Sequence, residues 1–154
     1  MTAAYVIKAA IADPGAAVFD LPNQKTMYGG KLIAPGDTAY VFASETEGGA
    51  GLIARGTVIR AEPVPPLPFI GRQVPRLEVQ VRRTDRASRP FGRADLKPFG
   101  AWKDGQPQTE LNFKFYRQAT NKIGGISPAA AAFLDTIFAP ATSPRLPSRR
   151  IGPI

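Results

Sequence analysis

Proline and glycine set the grain of this chain. There are 16 and 15 of them in 154 residues, enough that short elements joined by many turns are the architecture to expect. Turn-forming groups fall at Asp13-Pro14-Gly15, Gly48-Gly49-Ala50-Gly51 and Lys103-Asp104-Gly105-Gln106-Pro107. Pro63, Pro65, Pro66, Pro68 and Pro75 mark residues 63–75 as a surface connection, because proline has no amide to give a sheet ladder.

What lies between these breaks reads mostly as β-structure. Ala3 to Ala9 is a first strand, rich in β-branched and aromatic residues at Tyr5-Val6-Ile7. Residues 16–36 show no such pattern and read as irregular. Thr38 to Ser44 is nearly continuous in apolar residues around Tyr40-Val41-Phe42, as in a strand covered on both faces. The glycine-rich turn joins it to Leu52 through Ala61 in a hairpin, with Gly56 marking a bulge or a close backbone approach. Arg76 to Thr84 alternates cleanly, Leu77, Val79 and Val81 against Glu78, Gln80 and Arg82, so one face meets the core. Leu111 to Gln118 alternates in the same way and is read as another strand, with Phe113 and Phe115 on the Leu111 face and Tyr116 opposite.

Helix signals are few. Arg93 to Pro98 suits a single turn, and Ser127-Pro128 offers an N-cap and a first-position proline for a helix over Ala129 to Phe138, buried along Phe133, Leu134, Ile137 and Phe138. About five strands with few helices imply a mainly β, α+β domain in which the sheet curves into a small barrel. The length suits one domain, over residues 1–138, followed by an extended Pro/Arg-rich tail at 139–154.

Charge is divided unevenly. Residues 1–62 carry five Lys or Arg against six Asp or Glu, whereas residues 63–154 carry fifteen against six, so the net charge of +8 belongs to the second part. Such a field favours polyanions, with nucleic acid, DNA or RNA, as the expected partner and a merely solvated basic face as the alternative. The chain lacks both cysteine and histidine, which excludes thiolate or imidazole zinc sites, disulfides, cysteine nucleophiles and every histidine-based triad. Glu45 and Glu47 alone make a poor cation site, so neither a metal nor another cofactor is expected. No apolar run approaches a membrane span and the N-terminus does not read as a signal peptide, so the expectation is a cytoplasmic protein without a membrane partner.

Candidate binding residues follow from this distribution. Arg82, Arg83, Arg86, Arg89 and Arg93, offset only by Asp85, are candidates for phosphate contacts, since guanidinium pairs bidentately with phosphate; a solvated loop is the other reading. Trp102, Phe113, Phe115 and Tyr116 lie beside Lys103, Lys114, Arg117 and Lys122, an interleaving that lets bases stack while the backbone is neutralised. Trp102 reads equally as a buried plug or as the wall of a pocket.

Gly36-Asp37-Thr38-Ala39-Tyr40-Val41-Phe42-Ala43-Ser44, followed by Gly51-Leu52-Ile53-Ala54-Arg55-Gly56-Thr57-Val58, resembles the opening of EVE and ASCH domains of the PUA-like superfamily. The stretch from Asn112 to Ser127, with its following helix, is similar to the closing segment of EVE-like proteins. The resemblance spans roughly residues 3–138 and implies a pseudo-barrel whose pocket receives a flipped or modified base. By position it implies a pocket with Ser44 and Glu45 at the hairpin edge and Trp102, Tyr116 and Arg117 in the later wall; the phosphate contacts expected from the basic residues themselves are Arg82, Arg83, Arg86, Arg89, Arg93 and Lys122. Three functions stay open at this point. They are a non-catalytic reader of nucleic acid, an enzyme or small-molecule site using Glu45 or Tyr116 as acid or base, and a protein-interaction module docking through the 139–154 tail.

Overall fold

The computed structural model describes residues 4–45, 48–66, 68, 69, 71, 73, 75–101, 103–116 and 122–138. The expected tail at 139–154 lies outside the described residues, as do Trp102 and Arg117.

Six strands close into a barrel: β1 (Ala4–Ala9), β2 (Val18–Met27), β3 (Thr38–Ala43), β4 (Gly51–Pro63), β5 (Arg76–Arg86) and β6 (Lys122–Gly125). Around the barrel they run β1-β3-β4-β5-β2-β6. β1 pairs parallel with β3 and β2 parallel with β6, and the remaining four pairings are antiparallel. Closure leaves no open sheet edge. Three short helices pack outside: α1 (Arg93–Leu96), α2 (Pro107–Leu111), which continues as a π-helical turn over Asn112–Tyr116, and α3 (Pro128–Asp135), which ends in a 3-10 turn at Thr136–Phe138.

Strand alternation sorts the apolar residues into two layers. Tyr5, Ile7, Phe19, Leu21, Val41, Val58, Val79, Val81 and Ile123 pack together inside the barrel. Val6, Tyr40, Phe42 and Leu52 point the other way and meet Phe91, Leu96, Leu111, Phe115, Leu134 and Ile137 beneath the helices. β3 is therefore covered on both faces, as its apolar run suggests. An ion-pair cluster ties the layers at their rim: Arg55 reaches Asp85 at 2.8 Å and Asp135 at 2.7 Å, and Tyr40 donates its hydroxyl to Asp135 at 2.5 Å.

The barrel, the hairpin and the N-cap follow the sequence reading. Gly56 sits at a register shift against β5, where a Cβ would lie 2.3 Å from the Arg82 carbonyl oxygen. Ser127 Oγ accepts from the Ala130 amide at 3.1 Å.

Two expectations are corrected, and one strand is added. Residues 18–27 are a strand, not irregular chain; Pro22 and Asn23, the latter at φ 55°, form a bulge that shifts the register between Leu21 and Gln24 and hides the alternation. Leu111 to Tyr116 is helical, not a strand. Pro107 starts α2 and Glu110 pairs with Lys114 one turn on, while Leu111 and Phe115, four apart, are both buried. Lys122–Gly125, to which the sequence reading gives no element, closes the barrel as β6.

Candidate nucleic-acid interface

At the end of β1 the chain places a lysine in an otherwise apolar strand. Lys8 faces the helical layer, is 1% exposed, and donates from Nζ to the Phe115 carbonyl at 2.7 Å. Its ammonium lies 4.6 Å from the centroid of the Tyr116 ring, and the Arg93 guanidinium approaches the same ring at 5.8 Å. Phe42 meets that ring edge-on at 6.0 Å. Burial lowers the Lys8 pKa, with Arg93 adding to the effect and Glu45 opposing it.

Glu45 joins this group from the β3–β4 turn. Its carboxylate accepts the Arg93 amide at 2.9 Å and the Tyr116 hydroxyl. Burial, then the Glu45 charge and hydrogen bond, push the Tyr116 phenol far above its ordinary range, so it stays a neutral donor. The close approach depends on Gly92, where a Cβ would stand 2.8 Å from Glu45 Oε1. Asp95 accepts the Gly92 amide at 2.9 Å and steadies the turn that presents Arg93. Ser44 is buried beside Glu45, its amide bonded to the Ala9 carbonyl at 2.8 Å.

Of the pocket residues expected from sequence, Ser44, Glu45 and Tyr116 thus come together, and Arg93 joins them. Tyr116 is packed in the second apolar layer and does not stand free. Trp102 and Arg117 lie outside the described residues. Lys8 was not singled out by sequence reasoning, although a lysine within Tyr5-Val6-Ile7-Lys8-Ala9 was a visible signal.

The arginines divide. Arg86 and Arg89 line an open groove of about 440 Å³ with Pro14, Gly15, Ser88 and Pro90. From that groove the chain runs through Phe91, bridged to Gly51, to Gly92 and Arg93 at the Glu45 cluster. Arg82 is exposed on β5. Arg83 is held through Nη1 by the carbonyls of Gly15 and Ala16 at 2.7 and 2.6 Å and straps the β1–β2 loop. Lys122, the other expected phosphate contact, is fully buried, which puts its ammonium out of reach of an external backbone. It is the cross-strand neighbour of Lys8, its Nζ has no hydrogen-bond partner among the described residues, and burial followed by repulsion from Lys8 lowers its pKa to about 8.

Chemically, the cluster sets two cations and a carboxylate around one phenol ring, that of Tyr116. Such a mixed donor and acceptor set suits the polar edge of a planar ligand, and a guanidinium-lined groove suits phosphates.

No protein-family profile matches the sequence, and no curated protein matches it. The fold does match solved structures. Human THYN1 protein in complex with 5-methylcytosine-containing DNA superposes with a TM-score of 0.63 at 16% identity, over 95% of this chain and 100% of that one. The DUF55 domain of human thymocyte nuclear protein 1 gives 0.60 at 12% identity, over 88% and 98%. A hypothetical protein from Leishmania major gives 0.57 at 14% identity, over 88% and 94%. The chain shares the fold of these structures, a closed pseudo-barrel with short helices packed outside, which is the fold that the EVE-like resemblance implies. In this barrel the Glu45 cluster occupies the seam between the sheet and the helices, at the ends of β1 and β3 and beside α1.

Proposed function

We propose that this protein is a non-catalytic nucleic-acid-binding module. The Arg86–Arg89 groove takes the phosphate backbone, and the Glu45 cluster receives a modified or flipped base. The observation that carries this reading is the continuity of the two features: one short run of chain, Arg86 to Arg93, lines the groove at one end and hydrogen-bonds Glu45 at the other. The likeness of the fold to human THYN1 protein bound to 5-methylcytosine-containing DNA supports the same reading, as does the +9 net charge of residues 63–154. A base leaving its stack costs a few kcal/mol, and charge-assisted bonds to Glu45 and Arg93 are contacts able to offset that cost.

The test is anisotropy titration of duplexes that differ only in 5-methylcytosine or cytosine. The wild type is expected to prefer the modified duplex, and Glu45→Gln to lose the preference while keeping the salt-dependent background. Arg86→Ala with Arg89→Ala should weaken binding to both duplexes and reduce the slope of log affinity against log salt by about 2, at roughly 0.9 per phosphate. Equal wild-type affinity for the two duplexes sinks the base-reading part. An unchanged salt slope in the double variant sinks the phosphate part.

A further inference from the structure

About 10 Å along β1 from Lys8, at the Tyr5 end, a second groove opens outside the Glu45 cluster. It encloses about 390 Å³, and its lining includes Tyr28, Leu32, Tyr5, Lys114 and Gly125. Tyr28 holds φ at 51°, a left-handed conformation that costs free energy for an aromatic residue. The strain leaves the residue 37% exposed at the groove, while its carbonyl accepts the Gly125 amide at 3.1 Å. Leu32, four residues on, is 70% exposed.

The surroundings of the ring select its partner. The Lys114 ammonium lies 5.3 Å from the ring centroid and that of Lys122 6.0 Å away. Because Lys122 has no exposure, the side it approaches is the buried one. The Lys122 ammonium on that side draws π density inward, which weakens the attraction of the outer face for a further cation and favours the stacking of an electron-rich planar ring. Lys31 is exposed on the adjoining turn. Of the nearby carboxylates, Glu110 is paired with Lys114, while Asp37 accepts the Ala34 amide and keeps its charge; three lysines, Lys31, Lys114 and Lys122, against these two leave a small positive excess around the groove.

We infer that the Tyr28 groove is a stacking platform for an unpaired nucleobase, holding a nucleotide about three positions along the strand from the one at the Glu45 cluster. The inference rests on the nucleic-acid reading above. The distance fits, since about 10 Å corresponds to roughly three nucleotides stacked at 3.4 Å each.

The experiment uses the full chain, short fluorescein-labelled single strands with and without 5-methylcytosine, and the variants Tyr28→Gly and Tyr28→Phe. Glycine removes the ring and also relieves the positive φ, so the barrel stays folded, which a melting curve checks. Tyr28→Gly is expected to weaken both strands alike, by about 5- to 150-fold, and Tyr28→Phe by less than about twofold. Photocrosslinking with 5-iodouracil strands should leave an adduct on Tyr28. A Tyr28→Gly affinity within about twofold of wild type, or an adduct map that omits Tyr28, overturns the inference. So does concentration-dependent dimerisation that Tyr28→Gly abolishes with no effect on strand binding, which assigns the groove to a second copy of the chain. If the wild type shows no preference for the modified base yet Tyr28→Gly still weakens binding, the base-reading proposal fails and the platform stands.

Discussion

Lys122→Met should make this protein more stable at neutral pH. The lysine is fully buried, its ammonium has no hydrogen-bond partner among the described residues, and its pKa falls from 10.5 to about 8. At about 1.36 kcal/mol per pKa unit, holding the charged form in the folded state costs on the order of 3 kcal/mol. The folded pKa lies below the unfolded one, so the unfolded chain binds the proton more tightly. The penalty is therefore complete below about pH 8 and fades as pH rises toward 10.5. Methionine keeps the aliphatic volume and removes the charge. At pH 7 the variant should gain on the order of 3 kcal/mol, or roughly 6–12 °C in melting temperature for a domain of this size. Chemical denaturation of both proteins from pH 7 to pH 10.5 isolates the effect together with its coupling to Lys8, because titrating groups that do not interact with Lys122 cancel in the difference. A gain that shrinks toward zero at high pH is expected. A variant less stable than wild type at pH 7, or a gain independent of pH, refutes the reasoning, since either means that the ammonium is compensated in the fold.

Lys8→Met should have the opposite sign, costing about 1–3 kcal/mol in denaturant titration, because it orphans the buried Phe115 carbonyl. Ser127→Ala should cost about 1 kcal/mol through the α3 cap and Leu134→Ala about 2–5 kcal/mol through a cavity, an order that thermal melts check. Gly56→Ala should cost more than about 1 kcal/mol and raise amide exchange along β4 and β5, because its Cβ has no room beside the Arg82 carbonyl. Arg83→Ala should lower the melting temperature in a thermal melt, since Arg83 straps the Gly15–Ala16 loop.

Strands whose pattern is local were legible from sequence. Leu77, Val79 and Val81 alternate because β5 has one face inside the barrel, and β3 is apolar throughout because it separates the two layers. β2 was not legible, because the bulge at Pro22 and Asn23 breaks its period after Leu21 and the residues buried beyond it, Gln24 and Thr26, are polar. The segment over Leu111 to Tyr116 misleads for a different reason. Leu111, Phe113 and Phe115 satisfy a period of two, yet the four-residue spacings Leu111/Phe115 and Glu110/Lys114 satisfy a helix just as well, and Pro107 decides between them by starting one. β6 is four residues long, too short for any period to declare itself.

The candidate site was legible only in pieces, because it is assembled across the seam from segments far apart in sequence. Glu45 closes β3, Arg93 opens α1, Tyr116 ends the π-helical turn and Lys8 nears the end of β1. None of these is informative alone: a lysine in an apolar strand, a glutamate in a turn and a tyrosine in a helix each have ordinary uses. Their meaning comes from burial, which raises the cost of each polar group and so requires that the groups answer one another. Lys8 is answered by the Phe115 carbonyl and by Glu45, and Glu45 by Tyr116 and Arg93. Lys122, one strand away and equally buried, has no hydrogen-bonding answer among the described residues. Two lysines paired across β1 and β6 are therefore chemically different: one anchors the seam, and the other leaves unspent hydrogen-bonding capacity in it. Charge counted along the sequence cannot separate them, since both contribute the same +1 to a total that looks like surface.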